Sequence, residues 1–171
     1  MYAFTFERPS SLADAAKLAG RANVKPLAGG QSLVASLKLR LANPEQLVDL
    51  GAIAELAGIA REGNGLKIGA MTRHADVAAS SEVKSVIPSL AQLASNIGDR
   101  QVRTMGTLGG SIANNDPAAD YPAAVLALNA TVNTTGRKIA ADDLFQGLFT
   151  TALNDGELIT SVSFPQPKRS A

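Results

Sequence analysis

Over the first fifty residues the apolar positions fall in short blocks whose spacing alternates between strand and helix. Tyr2 to Phe6 is a short β-like start, after which Pro9-Ser10-Ser11 opens an alanine-rich stretch from Leu12 to Ala22. Ser10 or Ser11 is a candidate N-cap there, because its hydroxyl accepts a hydrogen bond from an orphan amide of the first turn. Val24-Lys25-Pro26-Leu27-Ala28 reads as a strand that ends abruptly at Gly29-Gly30. From Ser32 to about Arg40 the spacing of Leu33, Leu37 and Leu41 predicts a helix with these side chains on one face, and Asn43-Pro44 stops it. Gln46 to Leu50 is a further strand, so the order β-α-β-α-β predicts a small, mostly parallel sheet ending near residue 54.

The pattern then changes. Gly58 to Arg61 and Leu66 to Ala70 flank Glu62-Gly63-Asn64-Gly65, a strong hairpin signal, and antiparallel pairing begins there. Thr72 is placed to cap a short helix over Ala75 to Ala79. Val86, Leu90, Leu93 and Ile97 keep a helical period on a longer segment running to about Arg100, with Pro88 tolerated best in a first turn. Ala123 to Leu128 forms an apolar helix, and strands near Ala130 to Thr134 and Glu157 to Phe164 add to the antiparallel part. The expected class is therefore α+β: a small α/β subdomain over residues 1–55 and a larger α+β subdomain over 56–171, with a polar, frayed tail from Pro165 to Ala171.

Composition narrows the chemistry. With 16 Lys and Arg against 15 Asp and Glu, two Tyr, five Phe and no Trp, the chain offers neither a basic stripe nor stacking aromatics for nucleic acid. No apolar run approaches the ~20 residues of a membrane span, and the expected location is cytoplasmic. Zero Cys excludes disulfides, thiolate zinc sites, a Cys nucleophile and cysteine-ligated iron-sulfur clusters. Any redox chemistry has to come from a bound organic cofactor. His74, the only histidine, has no second metal ligand and no paired Ser nucleophile, and is read as a surface or helix-start residue. No catalytic residue and no metal site is assigned.

Two glycine-rich motifs remain: Ala28-Gly29-Gly30-Gln31-Ser32, between a strand and a helix, and Gly106-Thr107-Leu108-Gly109-Gly110-Ser111. Consecutive glycines permit positive φ and let a ligand approach the main chain, so that successive amides can converge on a pyrophosphate without an Arg or Lys. Neither motif is G-x-G-x-x-G or G-x-x-x-x-G-K-[ST]. The bland alternative is a pair of tight turns. Downstream, in Ala113-Asn114-Asn115-Asp116-Pro117-Ala118-Ala119-Asp120-Tyr121-Pro122, Asp120 is either the N-cap of the next helix or a carboxylate that accepts hydrogen bonds from ligand hydroxyls.

The pairing of AGGQSL with TLGGSIANNDPAADYPA resembles the FAD-binding domain of the medium, flavoprotein subunits of molybdenum hydroxylases, the xanthine dehydrogenase and carbon monoxide dehydrogenase family. The opening ERP-S-LADAA, the IGAMT strand end, RTMGTLGG and the closing ELITSVSFP extend the resemblance over essentially the whole chain. It implies a p-cresol methylhydroxylase-type FAD-binding fold holding one noncovalent FAD. It also implies that Ala28, Gly29, Gly30, Gln31, Ser32 and Thr107, Gly109, Gly110, Ser111 wrap the pyrophosphate and neighbouring atoms, that Asp120 binds the ribityl region, and that Ile159 packs near the flavin or adenine. Asn114 and Ala70 carry over more weakly. The implied partners are a large subunit with the molybdenum cofactor and a small subunit with two [2Fe-2S] clusters, and the implied role is to pass electrons to an external acceptor. Family members continue into a C-terminal domain for which these residues offer no counterpart. Two alternatives stand beside this reading: a cofactor-free scaffolding module, and an independent FAD oxidoreductase of the same superfamily.

Overall fold

The computed structural model describes residues 1–167; the end of the expected frayed tail, 168–171, lies outside the described residues. The chain begins with β1 (Thr5–Glu7), α1 (Leu12–Ala19), β2 (Val24–Leu27), α2 (Leu33–Lys38) and β3 (Gln46–Asp49). The three strands form a parallel sheet in the order β1-β3-β2. The central strand, β3, buries Leu47 and Val48 in succession, one towards each face. β2 is an edge strand, where the missing amide of Pro26 interrupts no ladder.

Ser11, not Ser10, caps α1, its hydroxyl accepting from the Asp14 amide at 3.1 Å. The small side chains Ala15 and Ala19 let this helix lie close to the sheet, in a core with Val48, Leu50, Ile53 and Leu56. The predicted leucine stripe of α2 is broken. Arg40 takes φ 59°, the left-handed conformation that ends the helix, and so Leu41 swings into solvent while Leu37 stays buried.

A 3-10 turn (Ala54–Leu56) leads into β4 (Ile59–Glu62) and β5 (Gly65–Gly69), the predicted hairpin, with Gly63 at φ 58°. Next come α3 (His74–Ala79), α4 (Ser81–Val86), α5 (Pro88–Asn96), α6 (Arg100–Met105), α7 (Leu108–Asn114) and α8 (Asp120–Ala127). The chain closes with β6 (Thr131–Thr134), β7 (Lys138–Ala140), α9 (Ala141–Leu144), β8 (Phe145–Gly147), β9 (Thr150–Thr151) and β10 (Ile159–Phe164). The larger sheet is antiparallel in the order β4-β5-β10-β6-β7, so the last strand inserts between β5 and β6. Its inward residues Leu66, Ile68, Val132, Val162 and Phe164 join Val83, Leu90, Ile112 and Tyr121 from the helices in the larger core. Mixed sheet and helix content of this kind is an α+β fold.

The single long helix expected up to Arg100 is instead two helices. Proline disfavours helical backbone in the residue before it, so Ile87 sits at φ −137°, ψ 72° and Pro88 starts α5. Thr72 caps nothing: it is buried and exchanges hydrogen bonds with Gly58, accepting from the amide and donating to the carbonyl, both at 3.0 Å. Arg73 precedes α3 without a side-chain cap.

Candidate functional site

Between the two sheets lies a cleft of about 670 Å³, within the size range of small-molecule and cofactor sites. One wall is the loop from β2 to α2; the other is built from the end of β5, the starts of α3 and α7, and the loop leading into β10. The order of elements explains the juxtaposition, since both glycine motifs sit where a chain leaves one element and enters a helix.

The first motif supplies free donors. Among the described residues, no acceptor takes the amides of Gly29, Gly30, Gln31 or Ser32, all of which line the cleft. Gly30 holds φ 74°, a conformation that glycine adopts without penalty. A side chain on Gly29 would overlap the Met105 carbonyl oxygen and come within 2.7 Å of the Gly106 Cα, so this motif packs backbone against backbone on the second. Gln31 folds back, its Nε2 donating to the Gly29 carbonyl at 3.2 Å.

The second motif differs from its expected form. Gly109 and Gly110 belong to α7, with ordinary negative φ, and Thr107 is the N-cap. Its amides are already used by the fold: Leu108 donates to the Thr72 carbonyl at 3.0 Å, Gly109 to Ala70 at 2.8 Å, Gly110 to the Thr107 hydroxyl at 3.2 Å, and Ser111 to the Thr107 carbonyl at 3.1 Å. The expectation that both glycine motifs present amides to a ligand is therefore corrected for the stretch from Leu108 to Ser111. These glycines provide closeness instead. A Cβ on Gly109 would lie 2.5 Å from that of Ala70, which anchors α7 to the end of β5, and one on Gly110 would lie 3.2 Å from that of Ala28 across the cleft.

Ala28, Ala70, Thr107, Gly109, Gly110, Ser111, Asn114 and the buried Ile159 also border the cleft. Asp120 does not. It is the exposed first residue of α8, with Ala119 in the N-cap position, so the capping alternative is removed; Asp116 is the residue that folds onto a local amide, accepting from Ala118 at 2.9 Å. The Asp120 charge nevertheless reaches His74 and Tyr121.

His74 does start a helix, as expected, but it is only 4% exposed and borders the cleft, so its expected surface placement is corrected. The helix-start position was legible, whereas the packing of Gly106 and Tyr121 that buries the ring was not. Burial lowers its pKa to about 4 against the pull of the Asp120 carboxylate, so the ring is neutral at pH 7. Burial, followed by the same carboxylate, pushes the Tyr121 phenol upward.

The loop before β10 was not anticipated as a wall of the site. Glu157 holds it, accepting from Thr134 Oγ1 at 2.6 Å, Arg137 Nε at 3.1 Å and the Asn154 amide at 2.9 Å. Burial alone would raise the Glu157 pKa, but these donors and the Arg137 charge win and lower it to about 2. The turn Asn154-Asp155-Gly156 was the available signal; Gly156, at φ 76°, packs against Gly20 at the end of α1. Among the described residues no group of three or more His, Cys, Asp or Glu could hold a metal, and no helix is long and apolar enough to cross a membrane.

The family described as the FAD binding domain in molybdopterin dehydrogenase matches residues 2–167. The chain belongs to this family. This FAD-binding domain is 45% identical over 167 residues to the glyceraldehyde dehydrogenase medium chain of Sulfolobus acidocaldarius, an alignment covering 95% of the domain and 59% of that protein. It is 42% identical over 170 residues to the carbon monoxide dehydrogenase medium chain of Afipia carboxidovorans, covering 96% and 59%. The solved reconstituted CO dehydrogenase from Oligotropha carboxidovorans superimposes with a TM-score of 0.95 at 42% identity, covering 98% of the domain and 60% of that chain. The domain thus spans about three-fifths of the length of these relatives.

Proposed function

We propose that the chain binds FAD noncovalently in the cleft, as the flavin-holding part of the medium subunit of a molybdenum hydroxylase. The observation that carries this reading is the run of unpartnered amides from Gly29 to Ser32, set around a left-handed glycine in a cleft of cofactor size. Such a run is a concave set of donors suited to an anionic oxygen cluster, and a dinucleotide pyrophosphate is one. The fold is of the p-cresol methylhydroxylase type, residues 1–55 and 56–171 forming subdomains on either side of the cofactor. Gly109 and Gly110 offer a surface without projecting side chains for close approach beside Thr107 and Ser111. Asn114 and Ile159 contact the remainder of FAD, and Asp120, which follows the cleft-lining Ala119, reaches its hydroxyls from outside the cleft rim. When bound, FAD would supply the electron-transfer chemistry toward an external acceptor, and the chain's residues would bind and orient it. The partners in this reading are a large molybdenum-cofactor subunit and a small subunit with [2Fe-2S] clusters. Family membership and the medium-chain relatives support it, and the absence of Cys agrees with redox centres carried elsewhere.

Purified protein titrated with FAD is expected to bind it and to release it fully on denaturation, because the chain has no Cys for a thioether link and its one His is buried. Absence of binding would overturn the proposal, and flavin retained on the denatured chain would overturn its noncovalent form.

Asp120→Asn tests the ribityl contact. As a carboxylate taking charge-assisted hydrogen bonds from cofactor hydroxyls, Asp120 is expected to lose roughly 1.5 to 3 kcal/mol of binding on conversion to Asn, about ten- to a hundredfold in affinity. The apo melting curve should move little, since the side chain is exposed and caps nothing. Unchanged affinity would remove Asp120 from the site.

A further inference from the structure

His74 borders the cleft, yet the proposed FAD site does not use it. Its backbone is fixed by the amide donating to the Gly106 carbonyl at 3.0 Å, and its ring lies 5.2 Å from that of Tyr121, centroid to centroid. Neither ring nitrogen has a protein partner among the described residues, and Nδ1 is fully enclosed, as is the unpaired hydroxyl of Tyr121. The Nε2 edge faces Gly106, where a side-chain Cβ would come within 2.5 Å of it, so only glycine fits there; unlike Nδ1, Nε2 is not among the fully enclosed unpartnered atoms. Gly106 in turn packs against Gly29, and His74 and the residues of the first motif line the same cleft. An enclosed N–H without an acceptor is rarer in proteins than an enclosed lone pair, so the proton belongs on Nε2 and the lone pair on Nδ1.

We propose that His74 is a cofactor-contacting residue whose neutral imidazole adds an Nε2–H donor to the amides of Gly29 to Ser32, directed at an oxygen of the central section of the bound dinucleotide. The inference rests on the FAD reading above. Its chemistry matches the rest of the motif, which meets anionic and hydroxyl oxygens with neutral N–H groups and no Lys or Arg. Burial keeps the ring uncharged near pH 7, even with the Asp120 carboxylate in range.

Because the chain has one histidine, ¹⁵N-histidine labelling reports this ring alone. On saturation with FAD the Nε2–H proton is expected to appear, shift downfield and exchange slowly, while Nδ1 keeps its lone-pair character. His74→Phe preserves the ring shape and is expected to weaken FAD binding about three- to tenfold, with the apo melting temperature unchanged or raised because an enclosed unpaired nitrogen is gone. His74→Gln, whose amide nitrogen reaches the position of Nε2, is expected to restore affinity to within about twofold of the parent. FAD binding with an unmoved Nε2–H signal, or a folded His74→Phe that binds FAD as tightly as the parent, overturns this inference and leaves the FAD reading standing. A parent protein that binds no FAD overturns both. If His74→Phe does not fold, the labelled parent decides alone.

Discussion

Gly29→Ala is expected to lose roughly 3 kcal/mol of stability, or about 6 to 12 °C in melting temperature, together with cofactor binding. The added methyl group would overlap the Met105 carbonyl oxygen and sit 2.7 Å from the Gly106 Cα. Both neighbours are main chain, fixed by the junction of α6 and α7, and neither can rotate aside as a flexible side chain would. Relief therefore requires the two walls of the cleft to separate. Gly147→Ala is the matched control, because a Cβ there meets nothing within 4 Å, and its effect should stay within about 0.5 kcal/mol. A Gly29→Ala protein as stable as the Gly147→Ala control would show that the two walls are not in this contact.

Acid should weaken the fold in two successive stages. His74 has a folded pKa of about 4 against an ordinary 6.5, so between those values the unfolded chain binds the extra proton. Stability from keeping the ring neutral is fully present above pH 6.5 and is lost as pH falls towards 4. Its size is no more than about 2 kcal/mol, because the ring borders the solvent-accessible cleft and is not sealed in the core. Glu157, lowered from 4.5 to about 2, acts lower down: its contribution is present above pH 4.5 and is lost as pH falls towards 2. Urea unfolding of the apo protein between pH 7.5 and 2.5 should show both stages. His74→Phe should abolish the upper one and keep the lower, whereas Arg137→Ala, which removes the cation 3.1 Å from Glu157 but leaves the Thr134 and Asn154 donors, should keep the upper and shrink the lower. An apo stability that stays flat from pH 7 to 4.5 would contradict the burial of a neutral His74.

The sequence by itself determined what depends on neighbours along the chain. The parallel pair of β2 and β3, the Gly63 hairpin, the Ser11 cap and the position of both glycine motifs each rest on local turn chemistry or short-range periodicity. The break at Pro88 was equally local, and was misplaced because the apolar period of Val86, Leu90, Leu93 and Ile97 continues across it. Tertiary structure decided the rest. Placing β10 between β5 and β6 is a pairing choice between distant segments, and the short strands β7, β8 and β9 are defined by partners that local pattern does not reveal. The two glycine motifs look alike in one dimension, yet only the first keeps its amides free. The carbonyls of Ala70 and Thr72, some forty residues upstream, consume those of Leu108 and Gly109. His74 was legible as a helix start, but the neighbours that enclose it, Gly106 and Tyr121, come from elsewhere in the chain. A residue type sets which hydrogen bonds and charges are available, whereas the packing of distant segments sets which of them remain unspent at the site.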